Sequence, residues 1–357
     1  MRDRLRLVTL FFHTLHSMKR TTIKDLAKLL NLSTSTVSRA LSDHPDISEA
    51  TKKRVREIAA EFNYTTNLRA QFFRKKRSGL IALILPEINM FFTPNLIKSI
   101  NKTIAISNYS LIVSLSNDRL KNEKEIIRQC MGWAVEGVLI SLSKYTSDLS
   151  HLEPLAKSEI HCVLLDKTIN NQFFSSVTID NVEASYIAVT YLIKKGHRNI
   201  LGIFGNTNIN ISRDRIKGYC KALKEYNIPI LKENIVSVDK DADLDYILPP
   251  ILTYNKRISA VFTMSDELLS KTLYHLNALG FSIPKDLSVI SISDGVFPTR
   301  VHPQITHVRD SGSKMGRTAA KLLLNLIDPT SKMENSKSNH IVSIKLIEQA
   351  SVIRGDF

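Results

Sequence analysis

The sequence predicts two architectures in one chain: an all-α helix-turn-helix head, then an α/β body of two doubly wound parallel-sheet lobes. Three observations predict this. Residues 1–78 hold 17 Lys and Arg against 7 Asp and Glu, so they carry +10 of the formal net charge of +15. The segments after Met18 repeat apolar residues at helical spacing. From Leu80 onward, apolar runs of strand length alternate with amphipathic stretches, the pattern of parallel sheets covered by helices on both faces.

The chain has 357 residues, 43% of them apolar, enough for two or three packed domains. Basic charge gathered at one end points to a polyanion there. Cys130, Cys162 and Cys220 are far apart, with no CxxC pair or Cys/His cluster. They read as buried free thiols of a reducing cytoplasm rather than disulfide or zinc ligands. Residues 1–17 form a short apolar run after Arg2, Arg4 and Arg6, interrupted by His13 and His16. That is a poor leader and too short to span a bilayer. These residues read as an extension or mis-start ahead of Met18, and no membrane partner is expected.

The head covers residues 18–64. Its first helix is expected from about Ile23 to Leu30, with Thr22 as N-cap and Asp25 three residues on as a weakened capping box. Asn31 stands at the turn, where a residue tolerant of positive φ is needed. Ser33 caps a second helix, about Thr34 to Leu41. It turns Val37, Ala40 and Leu41 inward and Thr34, Ser35, Ser38 and Arg39 outward. Such a pair reads as helix-turn-helix, whose second helix lies in the major groove. Arg39 suits a guanine edge, and Thr34 or Ser35 suits hydroxyl or methyl contacts. A third helix, capped by Ser48, closes the core with Val55, Ile58, Ala59 and Phe62. Lys52, Lys53, Arg54 and Arg56 are expected near its outer face, facing phosphates.

The stretch TIKDLAKLLNLSTSTVSRAL, followed by ISEATKKRVREIAAEFNY, closely resembles the head of the lactose-repressor (LacI) family. The resemblance places Thr34, Ser35 and Arg39 at base-reading positions. Asn31 replaces that family's turn glycine.

Residues 65–78, TTNLRAQFFRKKRS, form a basic hinge with two adjacent phenylalanines. A helix this short is unstable alone and would order against DNA and a partner copy. In the resembled family this segment is the hinge helix; Asn67 matches its start and Phe73 its minor-groove wedge. A Phe wedge in place of the usual Leu is physically acceptable. Thr66 stands where proline is usual. The alternative is a flexible linker whose phenylalanines pack on the body.

The body, residues 79–357, reads as two series of strands and helices, the second beginning at VTID, residues 177–180. Ligands bind beyond the carboxyl ends of such strands. Asp166, Asp266 and Asp294 end apolar strands there, and Arg215 opens a helix in SRDRIKGY. Carboxylates with an arginine suit bonds to ring hydroxyls, and Phe91 and Phe92 could stack on an apolar ligand face. The body resembles the family's periplasmic-binding-protein-like core. That likeness puts Phe92, Arg215, Asp266 and Asp294 at effector-contacting positions and has the chain cross between lobes three times. Residues 295–325 would return to the first lobe and the tail to the second. Lys167 and Gln349 stand where the family commonly has arginine.

No GxSxG, Walker loop, HExxH or GxGxxG after the first strand occurs, so neither enzyme chemistry nor a cofactor is expected. The histidines lack metal spacing; His161, His197 and His275 read as surface or satisfied core residues. The expected protein is a cytoplasmic, nucleoid-associated homodimeric repressor. Its expected partners are a near-palindromic double-stranded operator and a small-molecule effector, a carbohydrate by family likeness. A solute-binding protein with the same body, or a Rossmann-like enzyme, is the competing class. The head argues against the first and the missing nucleotide loop against the second.

Overall fold

The computed structural model describes residues 21–64, 78–89, 91–169, 173–240, 243–328, 330 and 337–355. The expectations for residues 1–17, Asn67 and Phe73 lie outside the described residues. The chain divides into two compact units, residues 1–78 and 79–357.

The first unit is built on α1 (Ile23–Leu30), α2 (Thr34–Leu41) and α3 (Glu49–Glu61). Thr22 and Asp25 form both arms of the capping box: the Asp25 amide donates to Thr22 Oγ1 at 3.3 Å, and the Thr22 amide donates to Asp25 Oδ2 at 2.9 Å. Two of the orphan donors of α1 are thereby satisfied. Asn31 ends the helix at φ 56°, ψ 44°, the left-handed conformation that asparagine tolerates. Leu26, Ala27, Leu30, Val37, Ala40, Val55 and Ala59 form one buried core.

Two expectations for the head need correction. Phe62 sits at the C-cap of α3, half-buried, and Tyr64 packs on the core instead. Lys52 does not face outward. Its side chain is 6% exposed, and its Nζ lies 2.8 Å from Glu49 Oε1 and 3.3 Å from Asp43 Oδ1. Arg56 is also engaged, at 2.5 Å from Asp43 Oδ1. Hydrogen bonds from Lys52 and then Arg56 hold the Asp43 carboxyl below its ordinary range. Lys53 and Arg54 remain exposed.

The second unit holds two six-stranded sheets. The first lobe begins with β1 (Leu80–Leu85), α4 (Thr93–Ala105), β2 (Ser110–Leu115), α5 (Leu120–Gly132) and β3 (Gly137–Ile140). It continues through α6 (Glu153–Lys157), β4 (His161–Leu165) and β5 (Ser175–Thr178). The second lobe contains α7 (Asn181–Lys194), β6 (Ile200–Phe204), α8 (Asn210–Glu225), β7 (Ile235–Ser237) and α9 (Leu244–Tyr254). It goes on with β8 (Ala260–Thr263), α10 (Asp266–Ala278), β9 (Ser288–Ser293) and β10 (Thr306–Arg309). The chain then returns as α11 (Gly312–Ile327), β11 (Asn339–Ile341) and β12 (Lys345–Ile347).

Strand order is β11-β5-β4-β3-β1-β2 in one sheet and β12-β10-β9-β8-β6-β7 in the other. Among the described residues, all pairings are parallel except β10 with β12. The central strands are buried along their whole length, as Val-, Ile- and Leu-rich runs should be when helices cover both faces.

The chain crosses between lobes three times, at residues 179–180, 310–311 and 342–344. Two boundaries differ from the sequence reading. VTID does not open the second series: β5 pairs in parallel with β4 and completes the first. The return to the first lobe starts at Gly312, not Gly295, because β10 still pairs with β9. The tail does join the second sheet through β12.

Candidate DNA-reading face and effector cleft

In the head, Ser33 caps α2: its Oγ accepts from the Thr36 amide at 3.0 Å. With that start fixed, the helical period divides the faces. Val37 and Ala40 are fully buried, while Thr34, Ser35 and Arg39 are exposed and Ser38 is half-buried. The predicted base-reading residues thus share the outer side of one short helix. Arg39 Nη1 lies 3.8 Å from Asp46 Oδ2, both well exposed. A pair this solvated is worth at most about 1 kcal/mol, so the guanidinium can leave it for a base. Ser35 Oγ sits 2.7 Å from Ser33 Oγ.

In the body, a cleft of about 660 Å³ opens between the two lobes, and Phe92, Asp166, Arg215, Asp266 and Asp294 all line it. Each was legible in the sequence, but the structure gives them different work. Arg215 is buried on α8. Its Nε donates to Asn181 Oδ1 at 2.9 Å, one terminal nitrogen donates to the Met264 carbonyl, and the other lies 3.4 Å from Asp310 Oδ2. It therefore ties together Asn181, just after the first crossover, and Asp310, at the second. Asp294 ends β9. Its Oδ1 accepts from the Gly312 amide at 2.9 Å and its Oδ2 from Asn95 Nδ2, so both oxygens reach across to helices of the first lobe.

Asp266 is not the cap of α10; Ser265 is, accepting from the Leu268 amide. Asp266 Oδ2 accepts from Ser293 Oγ at 2.8 Å. Burial pushes its carboxyl up to about 7. Burial does the same to Asp310, also to about 7, against the pull of Arg215. Asp166, held at φ 58°, is raised by burial as well, with Lys167 and Arg215 opposing.

The two phenylalanines part company. Phe92 lines the cleft, whereas the Phe91 ring packs on Phe297 with centroids 4.9 Å apart, so its expected stacking role is not supported. The Phe91 amide donates to Glu267 Oε1 across the lobes at 3.1 Å.

Sequence reasoning missed Asp310, Lys144 and Asp239. Lys144, from the first lobe, lies 3.9 Å from Asp118 and 3.5 Å from Asp239 of the second lobe, an ion bridge over the cleft. Asp310 lies one step past its strand, the available clue, whereas Asp239 is two residues past β7 and Lys144 four past β3. Asp310 follows the four-residue β10, too short to stand out in the hydropathy pattern, whereas the apolar run NIVSVD around β7 was legible and Asp239 at its end was passed over. His197 is a satisfied core residue as expected, with Nδ1 2.9 Å from Ser259 Oγ and Nε2 3.2 Å from the Ile353 carbonyl.

Residues 22–67 match the bacterial regulatory proteins of the lacI family, and residues 189–352 match the periplasmic binding protein-like domain. The HTH-type transcriptional regulator RegA of Clostridium saccharobutylicum is 30% identical over 335 residues, covering 93% of this chain and 99% of RegA. The chain belongs to the LacI family. The HTH-type transcriptional repressor PurR of Yersinia pestis is also 30% identical, over 94% of this chain and 98% of PurR. Among solved structures, the lac repressor dimer bound to operator and the anti-inducer ONPF superposes with a TM-score of 0.80 at 20% identity, covering 94% of this chain and all of that one. The CelR–cellobiose complex gives 0.69 at 22%, over 93% and 100%. The fold is therefore that of the LacI family, and the protein is a DNA-binding transcriptional regulator of that family. Among the described residues, no helix is long and apolar enough to cross a membrane.

Proposed function

We propose that this LacI-family regulator reads a near-palindromic operator as a homodimer in the cytoplasm, and that a carbohydrate-like effector in the cleft controls that binding. The proposed organisation is a head over residues 18–64, a hinge over 65–78 and a sensor over 79–357. Thr34, Ser35, Ser38 and Arg39 read bases, while Asn67 starts and Phe73 wedges the hinge. Phe92, Asp166 and Asp266 contact the effector. Arg215 and Asp294 hold the cleft walls and crossovers in place and pass lobe closure on.

One observation carries the first half: α2 is capped at Ser33 and buries Val37 and Ala40 completely, leaving a polar face of groove-reading residue types. The second half is supported by the charged, two-lobed cleft and by relatives whose solved forms hold sugars: CelR with cellobiose and an Enterococcus faecium regulator with ribose. An effector acts only through unequal affinity for open and closed lobes.

The test is selection of duplexes from a random pool, followed by gel shift against the selected and a scrambled site. The expected result is preference for one two-fold-related sequence, with affinity falling steeply as salt rises. Equal binding to both duplexes at every salt concentration overturns the reading.

A further inference from the structure

Carboxylates outnumber cations at the floor of the cleft. Arg215 is the buried guanidinium there, and Asp310, Asp166, Glu267 and Asp266 all act on it. Its nitrogens are committed to Asn181, the Met264 carbonyl and Asp310. Lys144 is committed to Asp118 and Asp239. Arg119 and Lys240 are exposed at the cleft, where water screens them, and half-buried Lys167 acts on Asp166.

Two oxygens are left over. Among the described residues, Asp266 Oδ1 and Asp310 Oδ1 are buried without a well-formed hydrogen bond, although the Asp294 backbone also acts as a donor toward the Asp266 carboxyl. Their residues are 5% and 7% exposed, and both line the cleft. A buried acceptor without a donor is costly, and a ligand seated against these two residues can supply one.

We propose that the effector is a polyhydroxylated molecule bearing a cationic amine, an amino sugar or amino polyol, seated with its ammonium toward Asp266 and Asp310. This rests on reading the cleft as the effector site. A hydroxyl brings one donor and leaves the excess charge in place. An ammonium brings three donors and neutralises it. A carboxylate or phosphate would add a like charge to a desolvated acidic floor, which refuses it. The groups facing the ammonium are Asp166, Asp266, Glu267, Asp294 and Asp310, with Lys167 and Arg215 opposing. Burial raises the Asp266 and Asp310 carboxyls to about 7 in the empty protein, so they gain their charge, and the cation binds more tightly, as pH rises through that range.

Calorimetry on the full-length protein tests this with matched sets of pentoses, hexoses and disaccharides: a neutral sugar, its amino-deoxy analogue, and its uronate or phosphate ester. The expected result is an amino member binding about tenfold or more tighter than its neutral partner, a gap of about 1.4 kcal/mol, and acidic members not binding. The preference should widen between about pH 6 and about pH 7.5 and collapse toward unity in Asp266→Asn and Asp310→Asn. Circular dichroism and a cooperative thermal melt confirm that both variants fold. Neutral members binding as well as amino ones, or an acidic member binding best, overturns the charge selection while leaving the cleft as the sensor. No binding by any set overturns the sensor reading and the proposal together.

Discussion

Arg39 stands on the exposed side of α2 beside a solvated aspartate, Asp46. Arg39→Ala is therefore expected to leave the fold intact and weaken selected-site binding by about 1–3 kcal/mol, with weak binding to random duplexes unchanged. Gel shifts on both duplexes check it. Arg215 differs because its partners are buried. Arg215→Ala strands Asp310 and frees Asn181, so the melting temperature should fall, with a cost of about 3–5 kcal/mol, whether or not effector is present. Asp266 gives the opposite sign. Its folded carboxyl titrates near 7 and its unfolded one near 3.9. The folded state thus holds the proton more tightly across that window, and stability falls as pH rises from about 4 to about 7. Asp266→Asn should raise the melting temperature of the empty protein at about pH 8, by roughly 1–3 kcal/mol for relief of the unpaired acceptor. The gain should vanish at about pH 4; thermal melts at the two pH values decide it.

At the scale of elements, local sequence explains the head well and the end of the body poorly. The bounds of α1 and α2 follow from Thr22, Asn31 and Ser33, because each cap residue is written next to the helix it serves. Thr22→Ala should cost the head about 1 kcal/mol, seen as earlier loss of operator binding on heating. The central strands were legible as unbroken apolar runs. The strands β10, β11 and β12 were not: three or four residues long, they owe their pairing to partners far away in sequence. The lining of the cleft was readable from polar residues at strand ends, but the division of labour among them was not, since hydrogen bonds such as Asp294 with Gly312 span distant segments. Lys52 misled for a related reason: helical spacing put it near the outer face, and Asp43 and Glu49 drew it in. The seam between α4 and α11 makes a further prediction. A Cβ on Gly316 would meet the Leu96 carbonyl at 2.7 Å. Gly316→Ala should push the helices apart at a cost of about 1–3 kcal/mol, read as a lower melting temperature.

For the whole molecule, charge and function separate along the chain. The first 78 residues carry most of the basic excess, so the salt dependence of DNA binding should belong to them. Lys53→Ala and Arg54→Ala are each expected to lower the slope of log affinity against log salt by about 0.9 if they contact a phosphate, without changing which duplex is preferred. A salt series on each variant reads this directly.

The order in which the strands enter the sheets also bears on how the molecule is made. An outer strand of each sheet comes from the last part of the chain, β11 over residues 339–341 and β12 over 345–347. During synthesis the head emerges from the ribosome before the body and has all of its own core residues, whereas neither lobe can be finished until residues 339–347 are out. A nascent chain stopped before residue 339 would carry a complete DNA-reading module on a body that leaves β5 and β10 as bare edges, open to pairing with another chain.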